Sequence, residues 1–347
     1  MRFIEQKVAA YELMRFQQEP DRPRLPFDWG LEHLGGPADA PDDEARAFLD
    51  DYSRSAMRDS ENFFGATQAS DYELDAANVL TFTSEIQSPW AENNLVHAQF
   101  FPARRRASDA RWGDAAVVVL AQWNARWEEQ GDICRYLNRL GLATLKISLP
   151  YHDRRAVPGH PRADYLVSSN IGLTVQANRQ AVLDVRRSLR WLELRGYSRL
   201  GILGTSIGSN LAYLTLAHEP ALRAGAFLHV STYFADVVAA GLTTSNVWEA
   251  LEPHLALEDA RRYWSPISPY PSVGRLASTR KKILTMSARY DPTFPYALTR
   301  EFLEAMRRED ISFDSLLLPC GHYSMGVAPF KYIVGARFGA FLFSSLA

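Results

Sequence analysis

Arg199-Leu200-Gly201-Ile202-Leu203-Gly204-Thr205-Ser206-Ile207-Gly208-Ser209-Asn210 is the stretch on which the reading of this chain turns. A short apolar run enters Gly-Thr-Ser-Ile-Gly, and a helical pattern, Leu211 to Ala217, leaves it. Strand, sharp turn and helix therefore follow one another, with Ser206 at the turn. The spelling Gly-x-Ser-x-Gly is that of a nucleophile elbow. The reason for it is steric: the serine backbone is held in a strained conformation, and glycines at 204 and 208 let strand and helix approach closely. The Ser206 hydroxyl then projects from the top of a sheet, and the Ile207 N–H points at whatever that hydroxyl attacks. A Gly/Ser-rich turn without chemistry has the same spelling, and the strand and helix on either side separate the two readings.

The surrounding chain supplies the sheet that an elbow needs. Ala116 to Leu120 is almost continuously apolar, as expected of a strand buried on both faces. Further strands are predicted over Leu142–Leu149, Ala224–Val230, Lys281–Ser287 and Phe313–Leu318. Helices are predicted over Asp132–Leu140, Val175–Leu194, Tyr296–Arg308 and Phe330–Leu346. This alternation implies an α/β fold with a mostly parallel, twisted sheet and helices on both faces. Val79–Thr83 and Leu95–Phe101 alternate in polarity and predict an antiparallel pair. Arg104-Arg105-Arg106 is read as a solvated turn after them. Residues 1–77 read as a helical N-terminal extension, with a helix over Ala45–Met57 whose Phe48, Leu49 and Tyr52 dock on the body. That extension covers the body or makes a homo-oligomer contact, and nothing in it suggests chemistry. Residues 78–347 then form the main domain. Within it, Ser231–Ala277 lacks strand character and is predicted to be a helical cap that shapes a pocket.

Composition narrows the class. The chain has 347 residues, 47% hydrophobic and 22% charged, enough to build one large α/β domain or one domain with an extension. A net charge of −2 gives no reason to expect a nucleic-acid partner. Two cysteines, Cys134 and Cys320, make neither a disulfide framework nor a zinc pattern, and no metal or organic cofactor is expected. Cys320, beside His322, is read as a small buried residue. Met1 to Lys7 has no uninterrupted apolar stretch and no segment is apolar for long enough to span a bilayer, so a cytoplasmic location is the default.

A serine hydroxyl is a weak nucleophile at neutral pH; it needs a general base, and the base needs an acid to orient it. Both belong in loops at the carboxyl ends of later strands. The strand ending at Ser287 runs into Ala288-Arg289-Tyr290-Asp291-Pro292, and the last strand into Pro319-Cys320-Gly321-His322-Tyr323. Asp291 is the candidate acid and His322 the candidate base, in the chain order Ser, Asp, His. Asp236, after the preceding strand, is the competitor for the acid. His152 and His229 also end strands and are read as lining the site or satisfying loop hydrogen bonds.

With these three motifs in hand, the chain resembles the α/β-hydrolase superfamily from about residue 78 to 346. Within it, the chain is similar to the group of dienelactone hydrolases, acetyl-xylan esterases and prolyl-oligopeptidase-like enzymes. The resemblance implies a serine hydrolase in which Ser206 is the nucleophile, His322 the base and then acid, and Asp291 the group that holds the imidazole. It implies a small-molecule ester as substrate, with amide or peptide cleavage as the runner-up and a catalytically silent binding module as the reading from another class. No β-propeller-sized domain is present to restrict peptide entry, and Ser206 stands where haloalkane dehalogenase chemistry needs a carboxylate. The oxyanion hole is expected from the Ile207 N–H and the loop Ala121-Gln122-Trp123-Asn124-Ala125-Arg126. Many relatives carry His-Gly where this chain has Ala121-Gln122; by register the Trp123 N–H is favoured as second donor, with Asn124 next. Asn124, Arg126 and His152 are read as substrate-binding. Some of Arg126, Arg154, Arg155 and Arg289 are expected at the mouth, where they favour an anionic substrate; the competing reading makes them surface salt bridges.

Overall fold

A computed structural model describes residues 2–19, 22–103 and 113–347; Arg104-Arg105-Arg106 lies outside the described residues. Among the described residues, nine strands form one sheet: β1 (Glu73–Leu74), β2 (Val79–Thr83), β3 (Leu95–Phe101), β4 (Ala115–Leu120), β5 (Ala143–Ile147), β6 (Arg199–Thr205), β7 (Leu222–Leu228), β8 (Lys282–Ala288) and β9 (Asp314–Leu318). Their order across the sheet is β1-β2-β3-β5-β4-β6-β7-β8-β9. β1, β2 and β3 pair antiparallel and β3 joins β5 antiparallel, whereas every pair from β5 to β9 is parallel. This is the mostly parallel α/β sheet expected from the alternation, and the architecture that the resemblance implies. β1 escaped the sequence pattern because two residues carry no periodicity.

The parallel strands are apolar on both faces because both faces are covered. Along β4, Ala116, Val118 and Leu120 join one core, while Ala115, Val117 and Val119 join the other. The helices Ile171–Leu194 and Ile207–His218 pack in the first core; Gly131–Arg139 and Phe330–Ser345 pack in the second. The helix predicted from Val175 begins at Ile171, because the Asn170 side chain accepts from the Leu173 N–H at 2.8 Å and caps it there. Phe48 and Tyr52 pack against the first core, in which Trp29, Leu31, Leu49, Phe63 and Phe64 are buried. Backbone bonds from Ile171 N to Asp28 O (3.0 Å) and Gly172 N to Trp29 O (2.9 Å) stitch the N-terminal segment to the start of the long helix. No helix among the described residues is long and apolar enough to cross a membrane.

Arg155 is neither a mouth residue nor part of a surface salt bridge, the two readings given for the strand-end arginines. It is fully buried, 2.9 Å from the Asp184 carboxylate on the long helix, and it donates to Asn93 O at 2.7 Å and Ser148 O at 3.1 Å. A charge that follows a strand in sequence is thus enclosed by partners from the long helix, Asn93 and Ser148. Removing the anion would strand a buried guanidinium. Asp184→Ala is therefore expected to cost about 3–5 kcal/mol of unfolding free energy. Urea denaturation measures it, and an unchanged midpoint at constant slope would show that Arg155 does not depend on the pair.

Candidate active site

The elbow has the geometry its glycines require. Ser206 sits at φ 56°, ψ −124°, between β6 and the helix Ile207–His218. A Cβ on residue 204 would fall 2.2 Å from Gly208 O, and one on residue 208 would fall 2.5 Å from Ala121 O. Neither position tolerates a side chain while strand, helix and the β4 loop stay this close. The turn is tied down by Ser206 N to Leu228 O at 2.9 Å and by Ser209 Oγ to Gly204 O at 2.7 Å. Ile207 opens the helix, so its N–H has no intrahelical acceptor.

The loops after β8 and β9 bring Asp291 and His322 together. His322 Nδ1 lies 3.1 Å from Asp291 Oδ2. Asp291 Oδ1 accepts the Thr293 and Phe294 N–H groups, both at 2.8 Å. A second imidazole completes the arrangement: His229 Nδ1 is 2.8 Å from the same Oδ2. Burial opposes ionisation of Asp291, but the two imidazoles outweigh it and hold the carboxyl well below the usual range. Burial keeps the His229 pKa below its ordinary value, Asp291 notwithstanding. At His322 the balance reverses. Burial again lowers the pKa, but Asp291, with Glu12 and Glu19 behind it, raises it above the ordinary value.

Ser206 and His322 line one cavity of about 1020 Å³. No hydrogen bond joins the Ser206 hydroxyl to the imidazole; such bonds are often long without substrate and tighten when it binds. Asp236 is paired instead with Arg261 at 2.6 Å, inside the Ser231–Ala277 segment, and makes no contact with either imidazole. That segment forms the helices Phe234–Ala240, Ser245–Leu251 and Leu257–Tyr263, and contributes Phe234, Val237 and Val238 to the cavity.

The β4 loop is held by the residues expected to meet substrate. Asn124, at φ 59°, donates its N–H to His152 Nε2 at 3.0 Å and accepts the Ala163 N–H on Oδ1 at 2.8 Å. His152 Nδ1 lies 2.9 Å from Pro150 O, which places the proton on Nδ1 and the lone pair on Nε2. Burial lowers its pKa to about 4, so it stays neutral. The Asn124 N–H is thus taken, and it is removed as an oxyanion donor. The Trp123 N–H has no acceptor among the described residues, and its indole Nε1 donates to Ala163 O at 2.9 Å. Asn124, Arg126 and His152 all line the cavity, Arg126 with its side chain exposed. Of the other arginines, Arg154 lies over the Trp127 ring at 4.3 Å, Arg155 is buried as described, and Arg289 is exposed outside the cavity lining. Besides Arg126, arginine at the cavity comes from Arg15, Arg22 and Arg162, two of them in the N-terminal segment.

His229, read from the sequence as lining the site or satisfying loop hydrogen bonds, does both, although its partner Asp291 depends on two strand ends meeting. One contributor was missed in the sequence. Glu12, from the N-terminal helix Arg2–Gln17, is fully buried against the His322 loop, and no motif marks it. His229, Asp291 and His322 are also the described residues whose potential metal-ligand atoms cluster, within 4.8 Å of one another. Both Nδ1 atoms there already face the carboxylate at hydrogen-bond distance. Cys320 is buried, 3.6 Å from Met325 sulfur, and burial pushes its thiol up to about 12, which leaves it protonated and unreactive.

Comparison with known proteins follows the same lines. Residues 176–345 match the prolyl oligopeptidase family. An esterase of Pyrococcus furiosus is similar in structure, with a TM-score of 0.54 at 16% identity over 80% of this chain and 92% of its own. Acetyl xylan esterase 1 of a Thermoanaerobacterium species gives 0.57 at 13% identity over 86% and 94%. An acylaminoacyl peptidase of Pyrococcus horikoshii gives 0.58 at 9% identity, over 81% of this chain but 50% of the peptidase. No curated protein sequence matches the chain. At such identities the structural likeness speaks for the fold. The fold, the strained serine elbow and the match over residues 176–345 agree with one another, and the chain has the α/β-hydrolase fold.

Proposed function

We propose that this protein cleaves a carboxylic ester through an acyl-enzyme on Ser206, with His322 as general base and Asp291 as the orienting acid. The observation that carries the reading is the 3.1 Å contact between His322 Nδ1 and buried Asp291, at the cavity that Ser206 also lines. With Nδ1–H committed to Asp291, Nε2 is left as the basic nitrogen. Ser206 Oγ attacks the ester carbonyl carbon while its proton passes to Nε2. The Ile207 and Trp123 N–H groups meet the charge that develops on the carbonyl oxygen. The imidazolium then protonates the departing alkoxide, the C–O bond breaks, and the acyl group stays on Ser206. Water, deprotonated by the same imidazole, adds to the acyl-enzyme, and the carboxylic acid leaves with Ser206 restored. Asp291 remains ionised throughout and stabilises the imidazolium.

The ester reading draws support from coverage: the two esterases are matched over 92% and 94% of their lengths, the acylaminoacyl peptidase over 50%. Val237 and Val238 of the cap supply an apolar wall for an acyl or alcohol group, and Arg126 a charge beside it. The match to the prolyl oligopeptidase family favours a second reading, hydrolysis of an amide by the same residues. Rates on an ester and an amide of the same acyl group separate the two.

A fluorophosphonate probe is expected to label the wild-type protein and to leave Ser206→Ala unlabelled, inactive and folded by circular dichroism. A wild type that resists labelling would favour a catalytically silent module. Asp291→Asn is expected to lower kcat on the order of 10⁴-fold, the cost of a misoriented imidazole in such triads, while Asp236→Asn retains activity. The reverse outcome would move the acid to Asp236. Because the base works as neutral imidazole and its pKa is raised, activity is lost as pH falls through a value above 6.5. An acid limb of kcat/KM below 6.5 would contradict the stated environment of His322.

A further inference from the structure

The N-terminal helix Arg2–Gln17 meets the body through a buried charge. Glu12 is fully buried, while Leu13 and Met14 beside it are 46% and 43% exposed. A helix docked by apolar burial would show the opposite pattern. A carboxylate leaves water only when donors replace its hydration. Glu12 Oε2 accepts the Tyr323 N–H at 2.7 Å, and Oε1 accepts the Ser324 N–H at 2.9 Å and the Ser324 hydroxyl at 2.8 Å. The Ser324 hydroxyl oxygen in turn accepts the Gly321 N–H at 2.8 Å. The turn from Gly321 to Ser324 is thus wrapped on one carboxylate, and His322 lies inside it. Charge-assisted bonds of this kind are the strong ones.

We infer that Glu12 is a positioning residue for the His322 imidazole, so that the N-terminal helix is a working wall of the active site. The inference rests on the reading of His322 as the base. Asp291 orients the ring from its Nδ1 side, and Glu12 holds the backbone that carries the ring. The same helix and the segment after it bring Arg15, Glu19 and Arg22 to the cavity. The ionisable groups around His322 are Asp291 from the β8 loop, His229 at the end of β7, Glu12 from the N-terminal helix, Glu19 just after it, and Tyr323 beside His322, hydrogen-bonded by Arg22 at 3.2 Å. Glu12 and Glu19 both favour the protonated ring.

Glu12→Gln in the full chain tests this. It removes the charge and turns an amide N–H₂ toward backbone donors. The expected result is faster hydrogen–deuterium exchange across residues 319–326 and an acid limb of kcat/KM moved to lower pH. With these comes a kcat reduced roughly ten- to hundred-fold, the scale of a small misplacement of a catalytic group, at nearly unchanged KM. A merely structural contact would leave the pH limb in place. Ser324→Ala, which removes one of the three bonds to Glu12 together with the Gly321 bond and no charge, is expected to speed exchange in the same segment by less and to leave the limb where it is; it decides the matter if Glu12→Gln does not fold. Wild-type exchange in these variants would overturn the inference even with a normal fluorophosphonate reaction. A wild type that never labels would overturn the hydrolase reading, while the exchange measurement still reports whether Glu12 holds the loop.

Discussion

One carboxylate oxygen organises the top of this molecule. Asp291 Oδ2 takes an imidazole Nδ1 on each side, at 2.8 Å from His229 and 3.1 Å from His322. Its other oxygen takes two backbone N–H groups. A buried charge without such donors would protonate or unfold its surroundings. With them, it locks three strand ends in one geometry: the end of β7, the loop after β8 and the loop after β9. The two imidazoles are driven apart by their settings, His229 toward the neutral form and His322 toward the protonated form. A pair of like groups with opposed pKa values marks a division of labour. His322 borders the cavity partly exposed, while His229 stays buried against Asp291 and Phe294.

Around that anchor the fold does two jobs. The doubly covered sheet fixes the strand ends, with alternate residues of β4 feeding separate cores. Segments outside the parallel sheet then close over the strand ends: the Ser231–Ala277 helices on one side and the N-terminal helix on another. These coverings are fastened by polar contacts rather than by apolar area alone. Asp259 pairs with Arg46 at 3.1 Å, the Ser53 hydroxyl donates to Tyr263 O at 2.9 Å, and Glu12 holds the His322 turn. The similar structures share the architecture at 9–16% identity.

The expectations that failed did so for one reason. Arg155 was one of four arginines read as mouth charges or surface salt bridges, and it is an internal counter-ion of Asp184. Asn124 was an alternative oxyanion donor, and its N–H is spent on His152. In both cases the residue sits in the right loop, but its partner comes from a segment distant in the chain. The extension showed no chemistry in its residues, yet it supplies a fully buried glutamate to the turn that carries His322.

Strand and helix alternation, the elbow and the candidate positions at the ends of β8 and β9 were legible in the amino-acid order. They rest on local physics: a period of two or 3.6 residues, the small volume of Gly204 and Gly208, and the rule that loops follow strands. Which charges leave water was decided only by tertiary structure. Glu12 and Ser324 are 312 residues apart, and no local pattern records that they meet. The worth of a carboxylate depends on the donors around it and the water excluded from it, and both exist only once the chain has folded.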